Sequence, residues 1–219
     1  MERHSKQVAP IAYGVIAARL ASSRLPNKIL GRLGGKTLLE YQYERIVASK
    51  TLKRVHIIVP EKDILPIEKA CVELPLKGGN EFDVLDRFEK CYEYWEPLRD
   101  TDVLVKFTAD SPLIDARHID NIVKRFLQDD ASFGFLKGFP KGMYFNMCRV
   151  GALRDLVKKI SVEDRAIWNQ LNETWVWFKY GFTIRCYEAP YDFSDINLEV
   201  NDRYDMERVR SIVIGEGDI

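Results

Sequence analysis

The chain has 219 residues, 46% of them hydrophobic, which suffices for one α/β domain with a full core. Lys+Arg and Asp+Glu are equal at 33 each, so no long-range field favours nucleic acid or an anionic membrane, and neither is expected as a partner. No apolar segment approaches a membrane span, and residues 1–10 read as a polar tail, lacking the apolar stretch of a signal peptide.

Residues 11–17 form an apolar run, interrupted only by Tyr13 and Gly14, that predicts a buried first strand. Directly after it come Arg19, Ser22, Ser23, Arg24 and Lys28, with Pro26 fixing the backbone among them. A basic, hydroxyl-rich loop at the carboxyl end of a first parallel strand is where α/β proteins hold nucleotide phosphates. On charge alone a solvated basic turn is an equal reading. Lys36, after Gly34-Gly35, lacks Walker spacing and reads as a turn. Helical spacing follows over residues 38–47, then a short β-branched strand over 55–59 and a helix over 83–94. A strand over 102–107 leads to Asp110, whose side chain should project at the same sheet edge as the basic loop. Residues 115–127 carry Ile119, Ile122, Val123 and Phe126 on one helical face.

The second half is less regular: strands over 132–136, 144–150 and 183–187, a helix over 151–159, and a last strand over 197–200 entering a helix over 203–214. The repeated strand-then-helix order predicts a single α/β domain over residues 11–219 with a mainly parallel, doubly wound sheet. Trp168, Trp175, Trp177, Phe178, Tyr180 and Phe182 read as core or dimer interface, so a homodimer is the assembly this reading admits. Cys71, Cys91, Cys148 and Cys186 lie far apart and read as reduced thiols of a cytoplasmic protein. His4, His56 and His118 have no spaced partner and receive no role.

The offsets Arg19-x-x-Ser22-x-Arg24-Leu25-Pro26-x-Lys28 resemble the N-terminal signature of sugar-activating cytidylyltransferases of the spore coat polysaccharide type, with CMP-Kdo and CMP-sialic acid synthetases as more distant relatives. The resemblance continues through residues 33–41, 83–88 and 108–115, and covers about the first 125 residues. It implies a nucleotide-diphospho-sugar transferase (glycosyltransferase A-like) fold. It also implies transfer of CMP from CTP to a sugar or similar small acceptor, with pyrophosphate release, in polysaccharide or glycoconjugate precursor synthesis. Carried onto this sequence, it places Arg19, Ser22, Arg24, Lys28, Arg87 and Thr108 at the nucleotide, with Lys28, Arg19 and Asp110 catalytic. Asp110 stands where such enzymes bind Mg²⁺; a turn or helix-cap role is the plain alternative.

The sequence departs from that pattern at three places. Asn201 occupies the second metal-ligand position, where relatives carry Asp; a ligating carbonyl and a simple strand-end turn are equal readings. Asp202 stands at the helix N-cap or turns inward, and Glu199 shares the face of Asn201. Tyr144 and Asn146, and later the segment from Arg165 to Asn169, replace residues that in relatives lie toward the sugar. These changes imply a different acceptor or lost turnover. Two alternatives therefore stand beside the enzyme: a nucleotide-binding relative with impaired catalysis, and a nucleotide-sugar-using glycosyltransferase. The latter usually carries a strand-end Asp-x-Asp that Asp110-Ser111-Pro112 lacks.

Overall fold

A computed structural model describes residues 8–94, 97–169 and 173–216. The polar tail expected over residues 1–10, His4 included, lies outside the described residues for residues 1–7; the Asn169 and Cys91 side chains also lie outside the description.

The first strand, β1 (Ala12–Ala17), is buried on both faces, which is why its sequence is apolar without alternation. A loop containing a short 3₁₀ turn (Lys28–Leu30) leads into a hairpin, β2 (Arg32–Leu33) and β3 (Lys36–Thr37), that turns over Gly34 at φ 61°. The helix α1 (Leu38–Val47) starts in a capping box: the Glu40 N–H donates to Thr37 Oγ1, and the Thr37 N–H donates to Glu40 Oε2. Then follow β4 (Leu52–Pro60), α2 (Ile64–Ala70), β5 (Leu76–Gly79), α3 (Val84–Tyr94) and β6 (Val103–Thr108). The helix α4 (Ala116–Gln128) is capped by Asp115, which accepts from the Arg117 and His118 N–H groups. The remainder is β7 (Phe133–Lys137), β8 (Asn146–Arg149), α5 (Val150–Lys159), α6 (Val162–Asn169), α7 (Glu173–Lys179), β9 (Ile184–Glu188) and α8 (Arg203–Glu216).

Seven strands form one sheet in the order β5-β4-β1-β6-β8-β7-β9. β5, β4, β1 and β6 are mutually parallel, β8 runs antiparallel between β6 and β7, and β9 is parallel to β7. On one face Ile16, Ile57, Val105 and Phe107 pack against Leu39 and Ile46 of α1 and Ile119, Ile122, Val123 and Phe126 of α4. On the other, Val15, Ile58, Leu104 and Phe133 pack against Phe88 of α3, Leu153 and Leu156 of α5, Trp168 of α6 and Trp177 of α7. A third cluster joins Leu33 and Leu38 to Val200, Met206 and Val209. The mainly parallel α/β sheet agrees with the expected architecture.

Two details differ. Residues 197–200, expected as a strand, run extended with one isolated bridge, Lys141 to Asn197. The Asn197 side chain takes the Glu199 N–H at 3.0 Å, a local bond that competes with a ladder. The hairpin β2–β3, the strand β5 and the helices α2, α6 and α7 were not anticipated. β5 reads Leu-Lys-Gly-Gly and offers neither β-branching nor alternation. Trp168 and Trp177 are core, Trp177 stacking on Phe133 at 5.1 Å, whereas Trp175 and Phe178 are exposed. Cys71, Cys148 and Cys186 are free thiols, and burial pushes Cys148 up to about 12.

His56 on β4 gives the fold a pH dependence. Burial, reinforced by Lys77 and Arg54, lowers its pKa from 6.5 to about 4. The unfolded chain thus binds a proton near pH 6.5 that the folded chain refuses until about pH 4. Stability is fully present above 6.5 and falls as pH drops toward 4. Urea denaturation across this window checks the expectation: His56→Gln should flatten that part of the fall.

Candidate functional site

The parallel strands end on one edge, and there the chain encloses a cavity of about 310 Å³. Arg19, Ser22, Arg24, Lys28, Arg87, Thr108, Asp110 and Asn201 all line it, so the fold brings together the residues expected at the nucleotide and the metal.

The first loop reaches the cavity by crossing from the end of β1 to β2. Its course is fixed from several sides. The Leu20 N–H donates to Asp63 Oδ2 at 2.9 Å, and the Asn27 N–H donates to the Leu20 carbonyl at 3.0 Å. Asn27 itself adopts φ 56°, a left-handed conformation that Asn tolerates, and this turns the chain into the 3₁₀ turn carrying Lys28. The Lys28 ammonium donates to Asp110 Oδ2 at 3.1 Å and to the Val200 carbonyl at 2.9 Å. Arg24 Nη2 donates to Asn201 Oδ1 at 2.7 Å, and Asn201 Nδ2 donates to Glu199 Oε2 at 3.0 Å. Residues 200–201 are themselves held: the Val200 N–H donates to the Asp110 carbonyl and the Asn201 N–H to Asp205 Oδ2. Asp202 accepts from the Asp205 N–H at 2.9 Å, so it caps α8; of its two readings the structure shows the cap.

Arg87 reaches the cavity from α3 and is buried. It packs over Gly79, where a Cβ would lie 2.7 Å from Arg87 Cγ. Burial lowers the Arg87 pKa, Arg19 lowers it further, and Asp63, Asp83 and Asp86 oppose them. Thr108 ends β6, its carbonyl accepting from Gln42 Nε2 at 2.7 Å. Lys36 pairs with Glu44 on the far side of the Gly34-Gly35 turn, in keeping with its reading as a turn residue. Sequence reasoning missed Asp63 and Phe82, the latter 82% exposed and lining the cavity. Both belong to short segments without periodicity.

Beneath the cavity, on the α3 side of the sheet, lies a second polar group that sequence reasoning missed. Lys106 on β6 and Glu173 on α7 form an ion pair, with side chains 7% and 3% exposed. Asn146 Nδ2 donates to the other Glu173 oxygen at 3.1 Å. Burial pushes the Lys106 ammonium below its ordinary value, Arg87 adds to this, and Glu173 supplies the counter-charge. Arg165, expected toward the sugar, is paired with Asp83 and Glu89.

The cavity can therefore take a polyanion: four cations converge on it, and the carboxylate of Asp110 sits among them. Among the described residues no group of three or more His, Cys, Asp or Glu could hold a metal ion unaided. The site fits a hard divalent cation shared between one carboxylate and bound phosphate, as Mg²⁺ is commonly held. No described helix is long and apolar enough to cross a membrane.

The cytidylyltransferase family model matches residues 13–167. The chain belongs to the cytidylyltransferase family. The spore coat polysaccharide biosynthesis protein SpsF of Bacillus subtilis is 27% identical over 158 residues, 69% of this chain and 64% of that protein. The chain spans less than two-thirds of the length of the curated relatives it matches, 53% and 64% for two of them. A solved cytidylyltransferase structure from Leptospira borgpetersenii aligns with 94% of this chain and 87% of its own, at TM-score 0.81 and 23% identity. A CMP:2-keto-3-deoxy-manno-octonic acid synthetase complexed with CTP aligns with 94% of this chain and 99% of its own, at TM-score 0.74 and 17% identity. At these identities the two structures speak for the fold, and the family assignment rests on the sequence match.

The buried pair in this cytidylyltransferase-family protein yields a stability prediction. Lys106→Met leaves the Glu173 carboxylate buried without its counter-charge and should destabilise by about 3–5 kcal/mol. Combining it with Glu173→Leu should recover most of that loss, because an apolar pair replaces the ionic one. Urea denaturation of both variants measures the two effects.

Proposed function

We propose that the protein transfers CMP from CTP to a small, sugar-like acceptor with release of pyrophosphate, in polysaccharide or glycoconjugate precursor synthesis. The observation that carries this reading is the convergence of Arg19, Arg24, Lys28 and Arg87 on one cavity with Asp110 in their midst. A neighbouring fold holds CTP, and SpsF takes part in spore coat polysaccharide biosynthesis, which supports the choice of nucleotide and product class.

In this reading the triphosphate lies along the first loop. Lys28 gives up its contact with Asp110 for phosphate oxygens, and Arg19 and Arg24 receive the charge that gathers on the departing pyrophosphate. Arg87, held in a partly desolvated position, faces the nucleotide from α3. Ser22 and Thr108 line the same cavity and orient the nucleotide. The acceptor oxygen attacks the α-phosphorus in line with the leaving pyrophosphate, its proton passing to solvent. Asp110 would hold Mg²⁺ together with phosphate oxygens, and the ion supplies charge neutralisation at the α and β oxygens when bound. No protein nucleophile enters.

The free thiols Cys71, Cys148 and Cys186 suit a reducing compartment such as the cytoplasm. The exposed Trp175 and Phe178 on α7 suit a homodimer contact. A second reading, a nucleotide binder with impaired turnover, is favoured by Asn201, a neutral amide at the site.

Pyrophosphate release from CTP and Mg²⁺ with a panel of acidic sugars tests the proposal. Lys28→Ala should lower turnover roughly 10²-fold while leaving the melting temperature nearly unchanged. Asp110→Asn should remove the Mg²⁺-dependent part of activity or of CTP affinity. Unaltered nucleotide affinity and turnover in Lys28→Ala would defeat the assignment.

A further inference from the structure

We infer that Asn201 is a positioning residue for the phosphate-facing guanidinium of Arg24, and is not the second metal ligand. The inference rests on the nucleotide-binding reading of the cavity. The orientation of the Asn201 amide is determined by its neighbours. Its carbonyl oxygen meets Arg24 Nη2 at 2.7 Å, and its nitrogen meets Glu199 Oε2 at 3.0 Å. Turning the amide over would set N–H against N–H and carbonyl against carboxylate, losing both bonds. The backbone beneath it does not give: Val200 is fully buried, its N–H is bound to the Asp110 carbonyl, and the Asn201 N–H is bound to Asp205.

Only an amide satisfies both neighbours at this place. An aspartate would keep the bond to Arg24 but set its second oxygen against the Glu199 carboxylate, a like-charge contact. Asn201 and Glu199 are therefore a matched pair. Arg24 is exposed, so its anchor on Asn201, its one hydrogen bond among the described residues, decides where its remaining N–H groups point. Those groups are available to a phosphate, which a guanidinium grips with paired N–H donors. Lys28 is seated on the Val200 carbonyl next door, so the two loop cations rest on adjacent residues.

The test is calorimetric titration of CTP and of tripolyphosphate in EDTA, repeated for CTP along a Mn²⁺ series. Asn201→Ala should weaken metal-free binding of both probes ~3- to 10-fold and add nothing to Arg24→Ala, while the Mn²⁺ midpoint stays put. Asn201→Asp should also weaken metal-free binding, and Asn201→Asp with Glu199→Gln should restore it. Additive losses, or a Mn²⁺ midpoint that moves while metal-free affinity stays unchanged, would overturn the assignment in favour of metal ligation. Hydrogen exchange of residues 19–28 in the ligand-free protein gives a readout independent of nucleotide. Asn201→Ala should speed exchange there, and an unchanged rate also overturns the assignment. Were the wild-type protein to bind neither probe, the nucleotide reading itself would fail, and the exchange arm would still decide the role of Asn201.

Discussion

The Lys28 ammonium holds the site together. From the first loop it reaches Asp110 beyond β6 and the carbonyl of Val200 before α8, three segments that only tertiary folding brings together. Its side chain is 12% exposed, so the charge is largely out of water and the two oxygens replace lost hydration. An exposed pair would contribute little to folding, whereas this partly buried one fixes geometry. The ligand-free site is thus electrically closed upon itself. Cation and carboxylate satisfy each other.

The cavity sits on a sheet whose floor also carries charge. Lys106, two residues before Thr108 on β6, points to the α3 side and meets Glu173. A buried ion pair seldom contributes net stability over an apolar pair of the same volume. Here it neutralises a lysine that would otherwise sit unpaired near Arg87, while Asn146 binds the remaining Glu173 oxygen. Arg165 is likewise absorbed, by Asp83 and Glu89. Asn146 and Arg165, two of the places where the sequence departs from the resembled pattern, are therefore taken up by internal pairs.

How much of this was legible in the sequence depends on how local the information was. β1 and the basic loop could be read because strand apolarity and cation spacing lie within twenty-odd contiguous residues. α4 was readable from one apolar face, and the structure shows that face buried. The stretch 197–200 misled because its apolar residues do alternate, yet the Asn197 side chain diverts a backbone N–H from the ladder. Glu173 gave no signal at all. Its role depends on α7 crossing behind β6, and no spacing rule couples residues so far apart. For Asn201 the sequence raised the right question, a missing charge, but only the contact geometry shows Arg24 and Glu199 on either side of its amide.

The third core cluster joins Leu33 and Leu38 to Met206 and Val209, and Gly31 is pressed so close that a Cβ there would meet Met206 Cε at 2.6 Å. On the ribosome this arrangement imposes a delay. The basic loop emerges early, yet the carbonyl that seats Lys28 follows 172 residues later. Within that interval the nascent chain can pair β1 with β4 and then with β6, which brings Asp110 to Lys28, but the seats on Val200 and Asn201 are still missing. Competence to hold a nucleotide thus arrives late in synthesis, after the sheet that carries it has had time to form.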